Sequence, residues 1–435
     1  MSHVSVRVFT FNESAELYSG LFALETFLLQ SEPDIIIICT QETREKGNGT
    51  TVQDLVSQML ESRSRYWASA RNRVRANSSR FYEKAKNVGM SIWMSRKRFI
   101  LLTGSTAVGP NCTKSASESV SGCLLVAPPR HDFNKGEDYS SPYTLSLKFN
   151  DGTEKIAELK VRMNLFRFSE RSKSAILTTL EVSVMNADRT LQPRLALAVV
   201  GTHLYFQGQE SQTGFNQRAY DLRRIVSVFN LPTLNQTHNL ILCGDLNMRN
   251  DPTAYRSRLQ GPVANDCLAS TKSEVEAKKC SAAVLNRYLV DDHASIEAMN
   301  ELVHFFTGNY GNESEHRLFA SLLNSVYLDF PTCSLQRGST RSQVIGTDHR
   351  RFPYDQFNPW ENGRRSIPSS CAQILFSPAQ NSSPKDFVRT NIQPLSVDDM
   401  IRSTNLALVA NFMVSLRPLA VRRPSRPPAP PLPQR

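Results

Sequence analysis

The sequence predicts a layered α/β fold, and three observations carry that prediction. Apolar strand-like runs alternate with segments of helical spacing along the 435 residues. Some of those runs are apolar without a break, as expected of strands buried on both faces. Four of them end in polar residues useful in phosphate chemistry: Asn12, Glu42, His203, and Asp245 with Asn247. A layered α/β fold gathers strand C-termini at one rim, so these side chains can converge there.

The elements follow in chain order. Residues 4–10 alternate and read as a strand ending at Asn12. Residues 14–30 carry Leu17, Leu21, Leu24, Phe27 and Leu28 at helical spacing, with Ser14 as the N-cap. Residues 34–39 are Ile-rich, a central strand that runs into Gln41 and Glu42. A polar segment follows, then a strand over 88–94. Residues 104–157 are Ser-, Gly- and Pro-rich and read as a surface insertion with two short strands. Residues 159–168 and 175–184 look like paired strands. Residues 194–201 form a strand running into Thr202-His203-Leu204. A basic helix spans 215–229. Leu240-Ile241-Leu242-Cys243 is a buried strand that Gly244 ends. Residues 262–328 read as largely helical and 336–366 as a basic loop. Residues 372–376 and 407–416 are closing strands.

The formal net charge is +11, which favours polyanionic partners without choosing among them. Part of that excess is local. Arg417, Arg422, Arg423, Arg426 and Arg435 lie in a Pro-rich tail that cannot build a core. The tail ends Pro430-Pro431-Leu432-Pro433-Gln434-Arg435, a pattern that fits a polyproline ligand for an SH3-type groove. A solvated tail accounts for the same composition. The eight cysteines lack CxxC spacing, which argues against a zinc site and against a disulfide framework. No secretory signal or membrane-length apolar run is visible. The sequons at Asn48 and Asn235 therefore read as chance, and the expected compartment is the cytoplasm. The tail and a loop with Arg350 and Arg351 suggest contact with an anionic membrane surface, and a solvated surface explains them equally.

Asp245 and Asn247 stand two apart after the strand, so both can face one way. A carboxylate beside an amide suits a water-activating base and a donor to a phosphate oxygen. A turn stabilised by Asp and Asn fits the same residues about as well. Glu42 is a candidate ligand for a hard divalent cation such as Mg²⁺, which prefers oxygen and keeps its waters. The metal would offset phosphate charge, and Asp245 would take a proton from the attacking water.

Thr10-Phe11-Asn12, Gln41-Glu42, Thr202-His203-Leu204 and Gly244-Asp245-Leu246-Asn247 resemble the successive motifs of the endonuclease/exonuclease/phosphatase superfamily. Within it, Asp329-Phe330-Pro331-Thr332-Cys333, Arg218 with Asp221, and Pro368-Ser369-Ser370-Cys371-Ala372-Gln373-Ile374-Leu375 resemble segments of the inositol polyphosphate 5-phosphatases. The resemblance implies a four-layered α/β sandwich over residues 1–416, two mostly antiparallel or mixed sheets flanked by helices, with residues 417–435 as a disordered tail. It implies Mg²⁺-dependent removal of the 5-phosphate from phosphoinositides or soluble inositol polyphosphates. By the same resemblance Asn12 and Glu42 sit at the metal, and His203 contacts the scissile phosphate. Asp245 orients or deprotonates the water, and Asn247 supports the transition state. Lys173, Arg218 and Asn405 fall at substrate-binding positions.

The departures fall on chemistry. Ala372 and Gln373 stand where the family has Asp and Arg, and Ser334 where it has Lys. Ser403-Thr404-Asn405 stands where it has Ser-Asp-His, and Thr347-Asp348-His349 offers such a pair only in a loop. Losing one placed donor costs roughly 3 kcal/mol. The expectation is a phosphatase of weak or altered activity. The alternative is an inactive relative that binds phosphoinositide or a protein. A nuclease is favoured only by charge, so nucleic acid is not an expected partner.

Overall fold

The computed structural model describes residues 3–13, 22–44, 51–62, 65–74, 86–102, 112–113, 124–125, 143–150, 155–168, 173–205, 212–249, 300–308, 312–328, 371–395 and 407–416. The elements in order are β1 (His3–Asn12), α1 (Phe22–Leu29), β2 (Ile35–Arg44), α2 (Val52–Ser62), β3 (Tyr66–Val74), β4 (Lys86–Ser95) and β5 (Phe99–Leu101). Then come β6 (Cys112–Thr113), β7 (Leu124–Leu125), β8 (Tyr143–Phe149), β9 (Lys155–Arg167), β10 (Ser174–Met185) and β11 (Leu191–His203). The helices α3 (Gln212–Val228) and α4 (Leu231–Leu234) lead to β12 (Asn239–Asp245). The helices α5 (Glu301–Thr307) and α6 (Glu313–Leu323) precede β13 (Ala372–Ser377), β14 (Phe387–Leu395) and β15 (Ala407–Ser415).

The strands form two large mixed sheets, in the orders β14-β15-β1-β2-β4-β3 and β13-β12-β11-β10-β9-β8-β5. Strand periodicity builds the layers, because successive side chains point to opposite faces. In β2, Ile35, Ile37 and Cys39 enter the core between the sheets, while Ile36 and Ile38 pack outward under α1 and α2. In β12, Ile241 and Cys243 face the same inner core, while Leu240 and Leu242 face outward with α3, α5 and α6 residues such as Leu222, Phe305 and Leu318. The result is helix, sheet, sheet, helix: a four-layered α/β sandwich. Truncating one of these buried Ile or Leu side chains to Ala costs about 2–5 kcal/mol.

The segment expected to be a surface insertion contributes to the core. β8 lies inside 104–157 and buries Leu145, Leu147 and Phe149 between the sheets. The Ser- and Gly-rich neighbourhood hides a strand with strict alternation. The polar segment after Glu42 likewise holds α2 and β3. Its buried residues Val52, Val56, Leu60 and Tyr66 are spaced widely among polar ones. Of the expected helix over 14–30, the described part is α1. Residues 250–299, 329–370, 396–406 and the tail lie outside the described residues, as do Ser334, Asp348, Arg350 and Asn405. No helix among the described residues is long and apolar enough to cross a membrane.

Candidate functional site

Each large sheet holds one parallel pair of strands: β1 with β2, and β11 with β12. A parallel pair ends both its strands on one side. The register sets Asn12 beside Gln41 in the first pair and His203 beside Asp245 in the second. These two ends meet across the sandwich. The Asn12 Nδ2 donates to Asp245 Oδ2 at 2.7 Å, a buried bond joining residues 233 apart in sequence. β10 runs antiparallel to β11, so its start lies at the same rim, with Ser174 opposite His203. Lys173, just before β10, is therefore delivered to the histidine, its Nζ 2.5 Å from Nε2. Nε2 lies 3.8 Å from Asp245 Oδ2 and 3.9 Å from Glu42 Oε1.

Five expected site residues thus converge: Asn12, Glu42, Lys173, His203 and Asp245. Asn247 joins them through its backbone N–H, which donates to Asp245 Oδ1 at 3.0 Å. Its side-chain Nδ2 donates to Leu204 O at 3.0 Å. An amide nitrogen carries two protons, so one remains for a ligand. An ammonium has only donors, so the ring nitrogen that faces Lys173 accepts.

Backbone strain marks the same place. Glu42 and Asn247 both have left-handed φ, 52° and 50°. Such conformations cost about 1–3 kcal/mol and persist where the surroundings impose them. For Glu42 the cause is an irregularity in the β2–β4 register between Thr40 and Thr43. Gly244 takes φ 142°, and a Cβ there would stand 1.9 Å from Thr202 O. Only glycine lets β12 approach β11 so closely just before Asp245.

A brace under Glu42 was not foreseen. Glu13 is fully buried, and its carboxylate accepts from Thr43 Oγ1 at 2.9 Å and from Val52 N at 3.1 Å. It ties the ends of β1 and β2 to the first turn of α2, where the exposed N–H groups favour negative charge. Nothing local in the sequence signals a contact across 39 residues.

Arg218 lies elsewhere than at the cluster. It is fully buried, and Nε and Nη2 donate to Glu301 at 2.9 and 2.6 Å. Gln373 also has other work. Its Oε1 accepts from Tyr327 N at 2.9 Å and its Nε2 donates to Tyr327 O at 2.8 Å. Ala372 pairs with Asp245 in the β12–β13 ladder. Cys371, just before it, is disulfide-bonded, a single bridge that the cysteine spacing did not signal. Cys39 and Cys243 are free and buried.

The donor set suits Mg²⁺. Among the described residues no group of three or more His, Cys, Asp or Glu is arranged to hold a metal ion. Mg²⁺ needs none, since it binds through one or two carboxylates and keeps several waters. Asn12 gives its amide N–H to Asp245, so its oxygen is turned elsewhere, and Glu42 supplies a carboxylate.

No protein-family model and no curated protein matches the chain. Among solved structures it is similar to Cimex nitrophorin in its ferrous NO complex, at 13% identity and a TM-score of 0.40, covering 96% of this chain and 100% of that one. It is similar to an endonuclease/exonuclease/phosphatase from Beutenbergia cavernae, at 12% identity and 0.36, covering 95% and 72%. The human Nocturnin catalytic domain with bound sulfate is matched at 14% and 0.31, covering 94% and 93%. At these scores the chemistry of the site rests on its own residues.

Proposed function

We propose that the chain is a phosphoester hydrolase of the endonuclease/exonuclease/phosphatase type that removes the 5-phosphate from inositol polyphosphates or phosphoinositides. The observation that carries the hydrolase reading is the convergence of Asn12, Glu42, Lys173, His203 and Asp245 at one rim. The inositol class comes from the sequence resemblance. Asp245 is the base, its two oxygens fixed by Asn12 Nδ2 and Asn247 N with lone pairs left to accept a proton from water. Lys173 sets a positive charge beside His203, where a phosphate oxygen would lie. Asn247 adds its second amide proton. Glu42 and the Asn12 oxygen would hold Mg²⁺, which when bound supplies charge neutralisation at a phosphate oxygen.

One observation favours a second reading, binding without turnover. Gln373 spends its amide on the Tyr327 backbone and Ala372 carries no polar group, so neither offers a charge to an anion at the rim. Phosphate release from a panel of inositol phosphates with Mg²⁺, compared with Asp245→Asn, tests both. Loss of about 100-fold or more in the variant supports hydrolysis. No release by either protein, with inositol phosphate bound in calorimetry, supports the second reading.

A further inference from the structure

We infer that Glu301 is a positioning residue for Asp245, acting through the turn that carries Asn247 and Arg249; its bearing on rate rests on the hydrolase reading above. Glu301 opens α5, and its carboxylate is divided between two partners. Oε1 accepts from Arg218 Nη2 at 2.6 Å. Oε2 accepts from Arg218 Nε at 2.9 Å and from the backbone N–H of Arg249 at 2.8 Å. The Glu301 N–H returns a bond to Arg249 O at 2.9 Å. Arg249 is thus clamped at both its backbone groups by one residue from another layer.

The clamp lies two residues from Asn247 and four from Asp245. Arg249 Nη2 reaches Asn247 Oδ1 at 3.4 Å, and Asn247 N fixes Asp245 Oδ1 at 3.0 Å. Asn247 holds a left-handed φ, a conformation that asparagine tolerates better than other non-glycine residues, and two contacts hold it there. Leu204 O restrains it from just past the end of β11. Glu301 restrains it from the helical layer.

A buried ion pair is weak evidence of a stabilising role, since apolar residues of like size often replace one without loss. That fact separates two roles. If Arg218 and Glu301 merely fill the layer, an apolar pair of similar volume restores everything. If Glu301 positions the turn, the same pair restores the fold and leaves the turn unheld. Arg218 then acts on the site from behind, through Glu301, rather than on substrate as the sequence resemblance implied.

The test is the full chain carrying Arg218→Met with Glu301→Leu. Its urea midpoint should match wild type, while kcat for phosphate release falls between about 10- and 100-fold with KM little changed. The backbone and side-chain amide signals of Asn247, in protein labelled with ¹⁵N-asparagine, should move. A variant with wild-type kcat and unmoved Asn247 signals overturns the inference. If wild type itself releases no phosphate, the hydrolase reading fails, and the Asn247 signals alone decide whether Glu301 positions the turn. Should the double variant not fold, Glu301→Gln gives the same readout, because one amide oxygen cannot serve all three donors.

Discussion

Replacing Gly244 by alanine should damage both stability and the site, and the structure sets the size. The new Cβ would stand 1.9 Å from Thr202 O, 2.9 Å from Thr202 C and 3.0 Å from Thr202 N. Ordinary contact begins near 3.4 Å, so the strands must part by about 1.5 Å at this point. The obstacle is backbone, which cannot swing aside. Parting loosens the ladder at Thr202–Gly244 and His203–Asp245, at about 1 kcal/mol for each bond lost. A side chain at φ 142° adds about 1–3 kcal/mol. The total is about 4 kcal/mol, in the range reserved for named structural damage. On the hydrolase reading, displacing Asp245 by about 1 Å costs about 100-fold in rate. Gly201→Ala is the control. Its Cβ would meet Cys39 Sγ at 2.6 Å and Met90 Cε at 2.7 Å, both side chains. Methionine is unbranched and adapts, so overpacking there costs about 1–3 kcal/mol and leaves the rim in place. Urea unfolding followed by fluorescence measures both variants, with phosphate release measured on the folded protein. A Gly244→Ala protein with the wild-type midpoint, or one more stable than Gly201→Ala, would refute this reasoning.

Two further outcomes are expected. Arg7 is buried beneath α1, donating from Nη1 to Phe27 O, Leu28 O and Gln30 O at 2.6, 2.9 and 2.8 Å and from Nε to Asn411 Oδ1 at 2.8 Å. Arg7→Met strands those acceptors and should lower stability by about 3 kcal/mol in urea unfolding without changing the site, whereas an unchanged midpoint would show that water replaces the guanidinium. Thiol titration of the unfolded, unreduced chain should count at most six of the eight cysteines, because Cys371 is bridged, and eight would show the bridge is absent.

The strand ends were legible because they depend on local pattern. The unbroken run Ile35-Ile36-Ile37-Ile38 has one outcome in a layered fold, burial on both faces, and its exit point then fixes Glu42. The same holds for Leu240 to Cys243 and Asp245. What escaped depends on distance along the chain. Glu301 meets Arg218 across 83 residues, and Glu13 meets Val52 across 39. Neither carboxylate has a local pattern that tells it from a solvated one. β14 escaped for another reason. It is an edge strand with Val388, Thr390 and Asn391 exposed, so no clean alternation marks it.

Ala372 and Gln373 are each explained by their place in β13. Strand alternation sends Ala372 and Gln373 to opposite faces of β13. Ala372 enters the core between the sheets, beside Asp245 in the ladder. A carboxylate there would crowd a second negative charge against Asp245. Gln373 is fully buried and acts as a short piece of strand, donating to and accepting from one residue, Tyr327. An arginine at 373 would bury an unpaired charge and leave the Tyr327 N–H without an acceptor, at a cost of several kcal/mol. Gln373→Arg would therefore harm the fold. The Gln373 side chain holds residue 327 against β13 and is not turned to the rim where Lys173, His203 and Asp245 meet.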